Sequence, residues 1–210
     1  MELTKLIQKR YKTIFYSILV FLVISLIITF SQPLKYRVQT KILVVQEFSE
    51  NTDAYSASRM NEYLSGLFAQ IISSESFFNQ TIEAGFGIDQ NYFTGSKKKQ
   101  LKLWNQTVNA KALYDSGIIT LNVYHADKEQ ALQIARSATY TLKTTNDFYH
   151  SVPNVDVRII DSPATSLFPV KPNIPLNILV SIFFGFIVGI LYAYQKEQQG
   201  IISRIKSKLF

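Results

Sequence analysis

The sequence predicts an α+β exterior domain between two transmembrane α-helices. Two charge-free apolar stretches, Thr13 to Leu34 and Asn173 to Gln195, lie near the two ends of the 210-residue chain. The 140 residues between Pro33 and Pro172 are close to charge-balanced, at net +1. Within them the apolar residues switch between a period of two and helical spacing, the mark of strands and amphipathic helices in one domain. Composition agrees: 47% hydrophobic residues with 18% charged is poor in charge for a purely soluble chain. It excludes disorder and collagen-like sequence, and the absence of cysteine excludes a disulfide scaffold.

The first span is 22 residues and the second 23. At about 1.5 Å per residue each crosses a hydrocarbon core of roughly 30 Å. The first has a longer apolar core than a signal peptide, and SQPLKYRV offers no small-residue cleavage site, so it reads as an uncleaved anchor. Residues 1–12 carry net +3, and so do residues 193–210. Short basic flanks beside both spans place both termini in the cytoplasm. The expected layout is a cytoplasmic segment at 1–12, transmembrane helix at 13–34, exterior domain at 35–162, proline-rich connector at 163–175, transmembrane helix at 176–195 and cytoplasmic basic tail at 196–210.

Within the exterior domain, YRVQTKILVV reads as a strand rich in β-branched residues. A polar turn follows, in which Glu47, Glu50 and Asp53 read as solvent-facing. Met60, Tyr63, Leu64, Leu67, Phe68, Ile71 and Ile72 then recur at helical spacing and predict a helix over about 56–74. A shorter helix through Phe77, Phe78 and Ile82 ends at Gly85, residues 86–96 read as loop, and a further helix is expected from Lys97 to about Gln106. TVNAKAL and GIITLNVYH read as a hairpin, with Ile119, Leu121 and Val123 on one face. Asp127 with Gln130 resembles a capping box opening a helix from 128 to about 148 that turns Ala131, Ile134, Ala135, Ala138 and Leu142 inward. Val155, Val157 and Ile159 make the last strand. Pro163, Pro169, Pro172 and Pro175 fix φ and remove donors, so that stretch reads as an extended connector, or as a lever setting the domain's height over the bilayer.

This order of parts resembles the polysaccharide co-polymerases, the Wzz-type chain-length determinant family. YRVQTKILV resembles the family's first strand, ITLNVYHADKEQALQIARSAT its strand, Asp-x-x-x-Ala and helix, and VRIIDSPATSLFPVKPNIPLNILVSIFFGFIVGIL its strand, proline motif and second membrane helix. In size the chain is similar to the adaptor subunits of Gram-positive capsule systems. The resemblance implies a non-enzymatic, two-pass protein of the bacterial inner (plasma) membrane. Such a protein assembles as a homo-oligomeric ring and regulates the length or assembly of a surface polysaccharide (O-antigen, capsule or exopolysaccharide), acting with a polymerase or the growing glycan. The alternative it implies is an adaptor or sensor that activates a separate cytoplasmic tyrosine kinase. The family's acidic helix after the second span is absent from QKEQQGIISRIKSKLF, and the chain has no P-loop.

Smaller signals fit both readings. Gly185 and Gly189 form a small-xxx-small pattern that permits close helix packing. Lys97, Lys98, Lys99 and Lys102 are either a solvated helix start or a contact for an acidic glycan or lipid-linked phosphate. Arg204, Lys206 and Lys208, with Phe210, are positioned to meet the inner leaflet or a partner. His125 and His150, the two histidines, lack metal-ligand spacing. No catalytic, cofactor or metal residues, and no nucleic-acid partner, are expected.

Overall fold

A computed structural model describes residues 3–47 and 53–209, with side chains described from 7 to 47 and 53 to 199. The chain divides into two units, Leu34–Val170 and the pair of segments Met1–Pro33 and Lys171–Phe210.

Unit Leu34–Val170 is the α+β domain. Its strands are β1 (Tyr36–Gln46), β2 (Val108–Ala112), β3 (Ile118–His125) and β4 (Val155–Thr165). Helices α2 (Ala54–Ile71), α3 (Glu75–Glu83) and α4 (Lys97–Thr107) lie between β1 and β2, and α5 (Lys128–Thr145) lies between β3 and β4. The sheet order is β2-β3-β1-β4 and every neighbouring pair is antiparallel. Along β1 the residues Val38, Thr40, Ile42 and Val44 are buried, each flanked by partly exposed neighbours, so one sheet face is covered and the other is open. Ile119, Leu121 and Val123 of β3 join that covered face, as their alternation predicts.

The helices supply the other half of the core. All five residues expected on the inner face of α5 are buried, and α2 contributes Leu64 and Phe68, with Ile72 just beyond its end. Tyr63, placed by sequence on the same face, is 62% exposed, because the buried stripe follows strict four-residue steps through Leu64, Phe68 and Ile72. Trp104 is fully buried and donates Nε1–H to the Ile72 carbonyl at 2.7 Å. That bond satisfies the one polar atom of the largest core side chain.

Some local expectations need correction, and other details go beyond what the sequence predicts. The stretch 86–96 contains a 3₁₀ turn at Gln90–Phe93, opened by Asp89 and burying Phe93. The capping box is half made: Asp127 accepts from the Glu129 and Gln130 amides, but the Gln130 side chain turns away to accept from the Asp89 amide at 2.9 Å. The loop's unpaired backbone takes that partner in preference to the helix's own N-cap. Gly117 does not carry the positive φ of the hairpin, which falls on Asp115 at 53°. Its role is close approach, since a Cβ there would collide with the Val44 carbonyl. Asp53 faces solvent, as expected, and is also the N-cap of α2, accepting from the Tyr55 and Ser56 amides at 3.0 Å. Those bonds and the Ser56 hydroxyl hold its carboxyl below the usual range. Glu47 faces Arg158 at 3.8 Å; Glu50 lies outside the described residues.

Pro163 belongs to β4 rather than to a connector. β4 is an edge strand, and its register with β1 slips so that Ser162 and Pro163 together stand opposite Thr40. A proline is tolerated there because the bulge needs no ladder donor from it. After β4 the chain runs back along the start of β1, with Ser166 N–H donating to Arg37 O and Val170 N–H to Lys35 O, both at 2.8 Å. The first and last residues of the domain are therefore neighbours.

His125, at the end of β3, is only 8% exposed and accepts the Asp127 amide at Nδ1 (3.0 Å) with Tyr92 packed edge-on at 4.5 Å. Burial pushes its pKa below the ordinary 6.5, against the pull of the Asp127 carbonyl. An unfolded chain then binds a proton that the folded one refuses, so stability falls as pH drops below about 6.5, by at most about 1.4 kcal/mol per pH unit for one proton. Thermal melts of the full chain in nanodiscs are expected to weaken between pH 7 and 5. The slope should be shallower in His125→Asn, which keeps an acceptor for the amide without the titration.

Candidate functional site

The second unit is a helical hairpin. Helix α1 (Leu3–Phe30) and helix α6 (Ile174–Leu209) contain apolar spans at Ile7–Phe30 and Ile174–Gln199 with mean hydropathy 2.6 and 2.4. Only 11% and 17% of an 18-residue apolar window within each is buried, unlike the core helix of a soluble fold. Ile27, Phe30 and Leu179 are each about two-thirds exposed, as lipid-facing side chains would be. These are transmembrane helices.

Helix α6 begins earlier than the expected 176. Asn173 accepts the Leu176 amide at 3.2 Å, which makes it the helix cap and puts Pro175 in the first turn, where a missing N–H removes no helical bond. Of the four connector prolines, Pro163 and Pro169 lie in the exterior unit and Pro172 and Pro175 in the membrane unit. The peptide bond before Pro172 is cis. The helix also continues beyond the expected tail boundary at 196, to Leu209. The side chains of Arg204, Lys206 and Lys208, and all of Phe210, lie outside the described residues.

The two helices meet where their side chains are smallest. A Cβ on Gly185 would sit 2.7 Å from the Ile18 Cα, and one on Gly189 would sit 3.0 Å from the Ile14 Cα. Both values are backbone contacts that no rotamer change relieves. The small-xxx-small face is thus occupied by α1 of the same chain, and Ile14 and Ala193 are buried beside it.

Polar groups fasten both ends of the hairpin. At one end Glu197 takes Lys9 and Arg10 together, with Arg10 donating from Nε at 3.3 Å and from Nη2 at 3.1 Å. Its side chain is 12% exposed. At the other end Asn177 Nδ2 donates to Thr29 Oγ1 at 3.0 Å, and Ser25 Oγ donates to the Asn177 carbonyl at 3.3 Å. In a low-dielectric surrounding such groups are costly to leave unpaired, so they fix the register of one helix on the other.

The exterior lysines do not gather into one site. Lys97 is tied to Glu75 at 3.0 Å, Lys99 lies along Gly95, and Lys98 and Lys102 are exposed. Three of them crowd the first turn of α4, the positive end of the helix dipole, where their charge is unfavourable and the Glu75 pair offsets part of it. His125 and His150 are engaged in backbone and Asn146 contacts. Among the described residues no group of three or more His, Cys, Asp or Glu side chains is placed to hold a metal ion.

The geometry, two transmembrane helices flanking an antiparallel α+β domain, agrees with the comparisons to known proteins. Residues 1–84 match the family model "Chain length determinant protein" (Wzz). Residues 141–198, from α5 through the second apolar helix, match GNVR, "G-rich domain on putative tyrosine kinase". Both ends of the chain thus resemble Wzz-type proteins. Similar curated proteins include the "Capsular polysaccharide biosynthesis protein CapA" of Staphylococcus aureus strain COL, 26% identical over 201 residues, covering 93% of this chain and 84% of that protein. The "Capsular polysaccharide type 5 biosynthesis protein cap5A" of strain Newman is also 26% identical, over 203 residues, covering 93% of this chain and 85% of that protein.

The glycine contacts give this helix pairing a direct test. In the cysteine-free background, Thr29→Cys with Asn177→Cys should form an oxidative crosslink in membranes. Adding Gly185→Leu and Gly189→Leu should abolish most of it, because the helix backbones can no longer approach. Unchanged crosslinking would show that the glycines do not set the pairing.

Proposed function

We propose that the chain is a non-enzymatic scaffold of the bacterial plasma membrane that regulates the length or assembly of a surface polysaccharide, capsule above all, as a homo-oligomer. The observation that carries this reading is the joint match of both chain ends to Wzz and GNVR models on a two-span architecture with a domain whose ends lie together. The capsular names of the relatives support the substrate class. The mechanism is geometric: copies meet through their exterior domains and membrane helices and hold a polymerase or growing glycan at a set distance from the bilayer. Lys98, Lys99 and Lys102 are exposed and available to an acidic glycan in that role, and Pro169, Pro172 and Pro175 stiffen the approach to the membrane.

A second reading, an adaptor for a separate tyrosine kinase, is favoured by the GNVR match and by the length of α6. A helix of 36 residues is roughly 54 Å long, well beyond a hydrocarbon core of about 30 Å, and so offers a helical docking segment outside the membrane. The two readings separate experimentally. Deletion of the gene should shift the size distribution or amount of the polysaccharide; unaltered polymer would sink the scaffold. Removal of residues 200–210, which keeps the Glu197 pairing with Lys9 and Arg10, should leave polymer control intact for a pure scaffold and abolish it for a kinase adaptor.

Both termini are assigned to the cytoplasm by their basic flanks. Cysteines replacing Asp53 and Ser203 one at a time should react with an impermeant maleimide from outside and from inside respectively. The reverse pattern would invert the topology.

A further inference from the structure

Two consecutive apolar side chains of the exterior domain stand almost fully in the open. Leu167 is 82% exposed and Phe168 78%, more than any large apolar side chain described in the two spans, where Phe30 reaches 68%. We infer that this pair is a wedge that enters the headgroup–acyl boundary of the lipid bilayer on the domain's side. The inference rests on the transmembrane spans and goes beyond any role in polysaccharide control.

The pair is held out rather than left loose. After β4 the chain stays hydrogen-bonded to β1 on both sides of it. Ser166 N–H donates to Arg37 O at 2.8 Å, Arg37 N–H donates to Ser166 Oγ at 3.0 Å, and Val170 N–H donates to Lys35 O at 2.8 Å. Leu167, Phe168 and Pro169 therefore stand against the single residue Tyr36 and bow out of the ladder. Pro169 fixes its own φ and stiffens the bow. Apolar side chains presented on such a fixed loop need little further ordering to insert.

Chain connection and charge both select lipid as the occupant. Ile174, where α6 begins, follows Phe168 by six residues, so covalent reach keeps the pair within roughly 22 Å of the start of a transmembrane helix. Cations lie at the base of the bow. Lys128 Nζ donates to the Leu167 carbonyl at 3.4 Å and sits 4.5 Å from the centroid of the Tyr36 ring, and Lys35 supplies the carbonyl that anchors Val170. Apolar tips backed by ammonium groups and a tyrosine match the acyl region and the phosphates of a bilayer in that order. The acids beside Lys128 do not cancel it. Asp127 is committed to the α5 N-cap, and Glu129, one residue further along the helix, leaves it about 100° away. The contact has a mechanical use: Lys35 and Val170 are hydrogen-bonded neighbours, so the two chain connections to the membrane act nearly as one pivot. A further point of attachment limits how freely the domain swivels about it.

The test uses the full-length, cysteine-free chain in lipid nanodiscs. Leu167→Cys labelled with bimane is compared with a labelled Tyr114→Cys, in the β2–β3 turn at the opposite end of β3 from the residue paired with Tyr36. In discs holding one chain each, lipids brominated near the top of the acyl chain should quench the label at 167 about threefold more than the label at 114. Adding Phe168→Ser and Lys128→Glu should remove roughly half of that quenching, with an unchanged thermal melt because both side chains are exposed. Equal quenching at the two positions overturns the wedge, as does quenching that the added substitutions leave unchanged. Shielding of the label from aqueous iodide that appears only in discs holding several chains also overturns it, in favour of contact between copies.

Discussion

Everything in the exterior unit depends on one requirement: a domain inserted between two membrane helices has to begin and end at neighbouring points. β1 and β4 meet it by pairing antiparallel in the middle and at the edge of the sheet. The segment after β4 then keeps hydrogen-bonding back to Arg37 and Lys35 until Val170. Because β1 is central, the same strand also receives β3 and carries the buried row Val38, Thr40, Ile42 and Val44 against the helices. Sheet order, core and exit point are thus three consequences of where one strand lies.

In the membrane unit the corresponding constraint is backbone proximity. Lipid offers no hydrophobic drive for two apolar helices to associate, so contact area and polar fastening decide. Gly185 and Gly189 supply the first, and Glu197 with Lys9 and Arg10, and Asn177 with Thr29, supply the second at opposite ends. Each feature is modest by itself. Together they select one register.

Much of this was legible in the sequence, and the reasons differ by element. The spans, β1, the β2–β3 hairpin and the inner face of α5 follow from apolar period alone, since in each the buried residues repeat at the element's own spacing. Tyr63 misled because it stands three residues after Met60 and four before Leu67, until packing selects the row through Leu64, Phe68 and Ile72. Pro163 misled because proline argues against a strand unless the strand is at an edge and bulged, and neither fact is local. The half-made capping box at Gln130 was hidden for the same reason, its competitor being a loop some 40 residues away. Gly185 and Gly189 were visible as a small-residue face, but that α1 of the same chain fills it depends on the register of two helices from opposite ends of the chain.

The bulge at Ser162 and Pro163 has a consequence for how copies of this chain can meet. An edge strand with an intact row of amides invites another strand, and a protein kept at high local concentration in a membrane would risk joining its sheets into a continuous ribbon. β4 interrupts that row with an irregular register and a residue that has no amide hydrogen, and β2, at the opposite edge, is only five residues long. If copies assemble as proposed, their association is left to side chains and helices, whose contacts are finite and reversible. A closed assembly of defined size is possible on those terms; an open fibre is discouraged.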